Sequence, residues 1–130
     1  MVVDTSALVA YLLGEPERAR RLRAMREAPT LALSAVALVE ASMVLLSRRA
    51  ADGVRELDVL VDGLGIAVAP VTRTTALLAR NAFDEYGKGR HRAALNFGDC
   101  FSYALAIERG EPLLFVGNDF AHTTVDAAPY

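Results

Sequence analysis

Four carboxylates stand in this chain where an acid is costly unless something requires it: Asp4, Glu40, Asp99 and Asp119. Asp99 falls in the run Leu95-Asn96-Phe97-Gly98-Asp99-Cys100-Phe101-Ser102-Tyr103-Ala104-Leu105-Ala106-Ile107. Asn96 is a good N-cap, which puts Asp99 at N3, where free backbone N–H groups and the positive end of the helix dipole favour an acid. Beyond it, apolar residues cover every direction of a 3.6-residue period, the mark of a helix buried in a domain, so Asp99 is expected to enter the interior. Glu40 is alone in the apolar segment from Ala35 to Leu46, and its helical neighbours Val36, Ala37, Met43 and Val44 include no base. A carboxylate that loses its hydration there costs several kcal/mol, so a cation is expected beside it. Asp4 and Asp119 follow the short apolar runs Met1–Val3 and Leu113–Val116.

If the fold gathers these acids, like charges within several ångströms cannot all stay ionised without a counter-ion. An all-oxygen donor set suits Mg²⁺ or Mn²⁺ and lacks the softness zinc prefers. There is no glycine-rich phosphate loop and no Ser-His-Asp set placed by a strand and an elbow. What remains is metal-assisted phosphoryl chemistry, in which the ion lowers the pKa of a bound water and neutralises phosphate oxygens.

The elements that must position the acids read in order as strand and helix in alternation. Met1–Val3 is a strand, and Ser6 caps a helix containing Ala7, Leu8, Ala10, Tyr11 and Leu12. Glu17 to Glu27 is a second helix, whose arginines Arg18, Arg20, Arg21, Arg23 and Arg26 read as a solvated face paired with Glu15, Glu17 and Glu27 before they read as a partner or RNA stripe. Leu31-Ala32-Leu33 is a strand, and Ser34 caps the Glu40 helix, which is apolar all round. Ala51 to Val61 is amphipathic, Ile66 to Val71 is a strand, and Thr74 caps a helix running toward Tyr86. The segment Lys88-Gly89-Arg90-His91-Arg92 is an exposed loop whose bases can meet phosphate, with Arg73 a weaker candidate, and His91 reads as a surface histidine because no carboxylate is placed to orient it. Thr123-Thr124-Val125 is an edge-strand candidate. Short strands, apolar on both faces and alternating with helices, describe a three-layer α/β/α fold around a parallel sheet of four to five strands, with ligands expected outside the carboxyl ends of the strands.

Composition sets the bounds. A chain of 130 residues, 53% hydrophobic and 23% charged, is one ordinary domain spanning residues 1–130 and is not disordered. No apolar run reaches the ~18 residues of a membrane span, and Met1-Val2-Val3-Asp4 has no basic n-region, so a cytoplasmic protein is expected. The single Cys100 reads as a small buried apolar residue, and a net charge of -2 exerts no overall attraction on nucleic acid, so any such contact needs a local basic patch.

Taken together, Val2-Val3-Asp4-Thr5-Ser6, Glu40 within its helix, Leu95-Asn96-Phe97-Gly98-Asp99-Cys100 through Ala106, and Leu113-Leu114-Phe115-Val116-Gly117-Asn118-Asp119-Phe120 resemble a PIN-domain ribonuclease of the VapC toxin type over essentially the whole chain. The resemblance implies an Mg²⁺- or Mn²⁺-dependent endoribonuclease, the toxin of a toxin-antitoxin pair, homodimeric and neutralised by a VapB-like antitoxin. It assigns Asp4, Glu40, Asp99 and Asp119 to the acidic, metal-holding positions and makes Ser6 and Asn118 polar helpers. Many members of that family carry a second acid where this chain has Asn118. RNA would be held by Lys88, Arg90 and Arg92. Two other acid-bearing classes fit less well. A receiver domain needs an early acidic pair and a late lysine, whereas Lys88 is the only lysine, and a haloacid-dehalogenase-type phosphatase needs an acid where Ser6 stands. A purely inhibitory binding module is disfavoured by the presence of all four acids.

Overall fold

Strands of two or three residues have two faces only, and in three of the four strands here each face finds a different partner layer. The structure, a computed structural model, describes residues 1–130. Its strands are β1 (Val2–Val3), β2 (Ala32–Ser34), β3 (Ala67–Ala69) and β4 (Leu113–Leu114), all parallel in the order β3-β2-β1-β4. Side chains alternate across a strand. Val3, Leu33 and Leu114 therefore pack on one face with Leu8 of α1 (Thr5–Leu12), Met25 of α2 (Arg18–Glu27) and Ala41 and Leu45 of α3 (Ala35–Gly63). Val2, Ala32 and Leu113 pack on the other with Ala79 and Ala82 of α4 (Arg73–Tyr86) and Cys100, Ala104 and Leu105 of α5 (Phe97–Arg109). The three-layer parallel architecture expected from the sequence is what forms, with four strands. No helix is long and apolar enough to cross a membrane.

Several local readings are corrected by tertiary context. The cap of α1 is Asp4, not Ser6, and that of α4 is Thr72, not Thr74. No strand forms at Thr123-Thr124-Val125, and the tail touches the sheet through one bridge, Leu113 to Ala127. The Glu40 helix is not buried on all sides: Val39, Met43 and Leu46 are 58%, 63% and 52% exposed, and Phe97 at the start of α5 is 72% exposed. An apolar periodicity reports what a helix can bury, not whether this chain supplies the partner.

Helix α3 is two helices joined at Ala50, whose φ of 52° and ψ of -147° lie in a region that glycine alone adopts readily. The join is tight because Gly53 lacks a side chain: a Cβ there would stand 2.9 Å from Leu45 O and 3.0 Å from Arg49 Cβ. Arg49 holds the corner by donating to Leu12 O at 3.0 Å and to Glu56 at 2.8 Å. The first half of α3 is thereby left packed under β1 and β2 with Glu40 on its flank.

Candidate active site

The sheet order reverses at β1: the chain steps from β1 to β2 to β3 on one side, then crosses to place β4 on the other. The crevice at the carboxyl ends of β1 and β4 is the topological switch point, where open α/β sheets bind ligands. Asp4 ends β1 there, its N–H bonded to Leu114 O at 2.9 Å. Its Oδ2 accepts from Ser6 N–H at 2.9 Å and from the Ser6 hydroxyl at 2.6 Å, and Ser6 Oγ accepts from Val116 N–H at 3.0 Å. Ser6 thus ties the acid of β1 to the loop leaving β4. Asp4 is 2% exposed, and its Oδ1 is buried with no partner. Thr5, which sequence reasoning did not single out, donates to Ala37 O at 3.2 Å and fixes α3 one turn before Glu40.

Asp99 enters the same crevice from the first turn of α5. Asn96 and Asp99 form a reciprocal capping box, with Asp99 N–H donating to Asn96 Oδ1 and Asn96 N–H to Asp99 Oδ2, each at 2.9 Å. One carboxylate oxygen is consumed by the helix, and the other makes no hydrogen bond within the protein. Burial is the main force on this acid and pushes its pKa up to about 7; the Asn96 hydrogen bond opposes the shift, and the negative charges of Asp4, Asp119 and Glu40 add to it. The other three acids predicted from sequence are therefore each close enough to act on Asp99. Glu40 is half-buried, its carboxylate lying against Gly98, and Asp119 is exposed at the start of a short 3-10 turn, Asp119–His122. Neither makes a hydrogen bond or an ion pair. Asn118 is exposed, and its side chain caps nothing.

The cation expected beside Glu40 is not a side chain of this protein, since every ion pair present involves other residues. As the side chains stand, no three acidic, histidine or cysteine groups converge on one point that could hold an ion. Asp4 and Asp99 are each held by hydrogen bonds through one oxygen, whereas no hydrogen bond holds the carboxylates of Glu40 and Asp119. The residues nevertheless fit a hard divalent cation: the donors are all oxygen, the centre carries only negative charge, and the orphaned Asp4 Oδ1 lacks the positive partner that a buried carboxylate requires.

Lys88, Arg90 and Arg92 are all exposed on the loop that leads into Asn96. They are not equivalent. Arg90 is committed to Asp84, through Nε to the carbonyl at 3.0 Å and Nη2 to Oδ1 at 2.5 Å, while Lys88 and Arg92 have no ion pair. His91 accepts from Ala93 N–H at 3.0 Å and meets Tyr86 edge-on at 5.2 Å, so it organises the loop. Burial, reinforced by the charge of Asp99, pushes the Cys100 thiol up to about 11, which leaves it without nucleophilic character.

The α2 arginines are not a uniform solvated face. Arg20 pairs with Glu17 at 3.1 Å, but Arg21 is 4% exposed and donates to Pro16 O, and Arg18 sits 4.7 Å over the Tyr11 ring. Arg18, Arg26 and Arg49 rim a groove of about 590 Å³ between α1, α2 and the second half of α3, floored by Leu22, Leu60 and Leu64.

The profile of one domain family, the PIN domain, matches residues 1–125. A Mycobacterium tuberculosis protein named ribonuclease VapC28 is 48% identical over 129 residues, covering 98% of this chain and 97% of its own. A Mycolicibacterium smegmatis protein named ribonuclease VapC is 46% identical over 127 residues, covering 98% of each. Among solved structures, Mycobacterium tuberculosis VapC20, described as a Sarcin-Ricin loop cleaving toxin, superposes with a TM-score of 0.78 at 19% identity over 95% of both chains. A chain of a toxin-antitoxin complex from Klebsiella pneumoniae gives 0.73 at 19% identity, covering 99% of this chain and 97% of that one.

Proposed function

The chain belongs to the PIN-domain family, and on that footing we propose that it is a VapC-type toxin, an endoribonuclease that hydrolyses RNA phosphodiester bonds in the cytoplasm with Mg²⁺ or Mn²⁺. The observation that carries the metal reading is the pair of buried acids with no cationic partner, Asp4 with its orphaned oxygen and Asp99 with its pKa pushed to about 7. Asp4, Asp99 and Glu40 hold the ion, and Asp119 completes the set from the exposed side. When bound, the metal supplies a water of lowered pKa and neutralises charge on the scissile phosphate.

The remaining work falls to the chain itself. Ser6 fixes the Asp4 carboxylate by occupying Oδ2, and Asn96 fixes Asp99 in the same way, so each acid presents its other oxygen to the centre. Lys88 and Arg92 draw in the RNA backbone by phosphate contact, which carries no sequence information. Arg90 shapes the loop through Asp84.

Incubation of the purified protein with RNA tests this directly. Cleavage is expected in Mg²⁺ or Mn²⁺, is lost in chelator, and leaves 3′-hydroxyl and 5′-phosphate ends, because water rather than the ribose 2′-hydroxyl attacks. Cyclic 2′,3′-phosphate ends, or undiminished cutting in chelator, would sink the mechanism. In the same assay, alanine at Lys88 and Arg92 together should weaken RNA binding and reduce its salt slope by roughly two.

Two further surfaces suit the protein partners of such a toxin. The Arg-rimmed apolar groove fits an acidic amphipathic helix of a VapB-like antitoxin. The exposed Val39, Met43 and Phe97 form an apolar face suited to a second copy in a homodimer. Met43→Glu should shift sedimentation to a monomer and leave antitoxin binding intact, whereas Arg18→Glu with Arg26→Glu should do the reverse; one variant disrupting both would refute the division.

A further inference from the structure

Gly98 is unlike the other two tightly placed glycines of this chain, Gly53 and Gly87, where a Cβ would first meet a backbone oxygen, Leu45 O and Phe83 O. It lies at the second position of α5 with an ordinary helical backbone, whereas Gly14, Gly65, Gly89, Gly110 and Gly117 all have positive φ. Backbone conformation therefore does not call for glycine, and helix propensity argues against it, since glycine is the worst ordinary helix former and alanine the best. What the missing side chain leaves room for is one group. A Cβ at this position would stand 2.6 Å from Glu40 Cδ and Oε1 and closer still to Oε2. All three nearest atoms belong to the Glu40 carboxyl group, and no other residue is among them.

We propose that Gly98 is a positioning residue for Glu40: its bare Cα lets the carboxylate lie against the first turn of α5, beside Asp99, and any side chain there pushes Glu40 out of the acidic centre. Because the obstructed atoms are the far end of a flexible side chain, Gly98→Ala is tolerated by the fold and acts through Glu40 alone. The reading of Glu40 as a metal-holding acid underlies the functional half of this inference, and the contact itself is independent of it.

A thermodynamic cycle on positions 98 and 40 separates the two. In chelator, Gly98→Ala should be neutral in the parent but raise the melting temperature in a Glu40→Ala background, where helix propensity is no longer offset by the displaced carboxylate. Additive effects would overturn the contact, and so would a double variant that fails to fold. With Mn²⁺ as the probe, Gly98→Ala should lose most of the parent's metal-induced rise in melting temperature and at least tenfold in cleavage. Glu40→Asp, one methylene shorter, should lower the metal response in the parent yet partly restore it in Gly98→Ala. A merely structural glycine would show no such rescue, and a full Mn²⁺ response in Gly98→Ala overturns the proposal. If no variant, the parent included, responds to Mn²⁺ while the positions remain coupled in chelator, the metal reading fails and the contact stands.

Discussion

Asp99→Asn should abolish RNA cleavage and at the same time make the metal-free protein more stable. The carboxylate is 8% exposed and is held up to about pKa 7 by burial and by three neighbouring acids, so at pH 8 the folded chain carries a charge that the unfolded chain would rather solvate. The amide is neutral, and its carbonyl oxygen can still accept from Asn96 N–H, so the capping box survives in form. What is lost is the favourable charge at a helix start, about 0.3–1 kcal/mol. Each pH unit by which the pKa is raised is worth about 1.4 kcal/mol, so the relieved strain exceeds that loss even after generous discount for relaxation. The net gain of roughly 1–2 kcal/mol should lift the melting temperature in chelator by about 3–10 °C. On the proposed role of Asp99 as a metal ligand, cleavage should fall on the order of a hundredfold or more, since even a ligand's supporting shell is worth that much. Melting curves with and without Mg²⁺ decide between roles. A variant less stable than the parent in chelator, yet gaining as much from Mg²⁺, would return Asp99 to a purely structural cap.

The metal-free parent should also lose stability as pH rises from about 4 to about 7. The sign follows from proton binding: between the ordinary aspartate value of 3.8 and the native value of about 7, the folded state holds a proton that the unfolded state has released. Stability therefore falls with pH across that window and levels off above it, with a ceiling of about 4 kcal/mol from the full separation. Below it a second acid acts in the opposite sense. Glu111 is held below its usual range by its hydrogen bond to the Met1 ammonium and by Arg109, so its contribution is lost as the solution becomes more acidic. The metal-free protein should accordingly be most stable near pH 4–5, lower than is usual for globular proteins. Asp99→Asn should flatten the neutral limb and leave the acid limb in place. If the proposed Mg²⁺ site uses deprotonated Asp99, Mg²⁺ should stabilise the parent more at pH 8 than at pH 5. Denaturant titrations across pH would reject the account if the parent were flat from pH 4 to 8.

The features legible in the sequence were those set within a few residues of one another. The Asn96–Asp99 capping box was readable because cap and partner are three apart and need only the helix they start. Ser34 as the cap of α3, Asp4 at the end of β1 and the alternation of strand and helix were readable for the same reason, and the alternation carried the layered parallel fold with it. The acids themselves stood out as charges in apolar surroundings. What tertiary structure decided were the relations between segments distant in the chain. Ser6 bonds across 110 residues to Val116, and so it supports Asp4 rather than capping α1. Arg90 is diverted to Asp84, and Glu40 finds its place against Gly98, a residue of another helix. The two halves of α3 were readable as separate segments, Ala35 to Leu46 and Ala51 to Val61, but the backbone that joins them at Ala50 is imposed by their packing across Gly53 against local propensity. Likewise the exposure of Val39, Met43 and Phe97 could not be read from periodicity, since an apolar stripe is the same whether its partner is in the chain or outside it. The sequence alone determined which acids and which elements were available; the unshared oxygens of Asp4 and Asp99 and the place of Glu40 against Gly98 arose only when the segments packed.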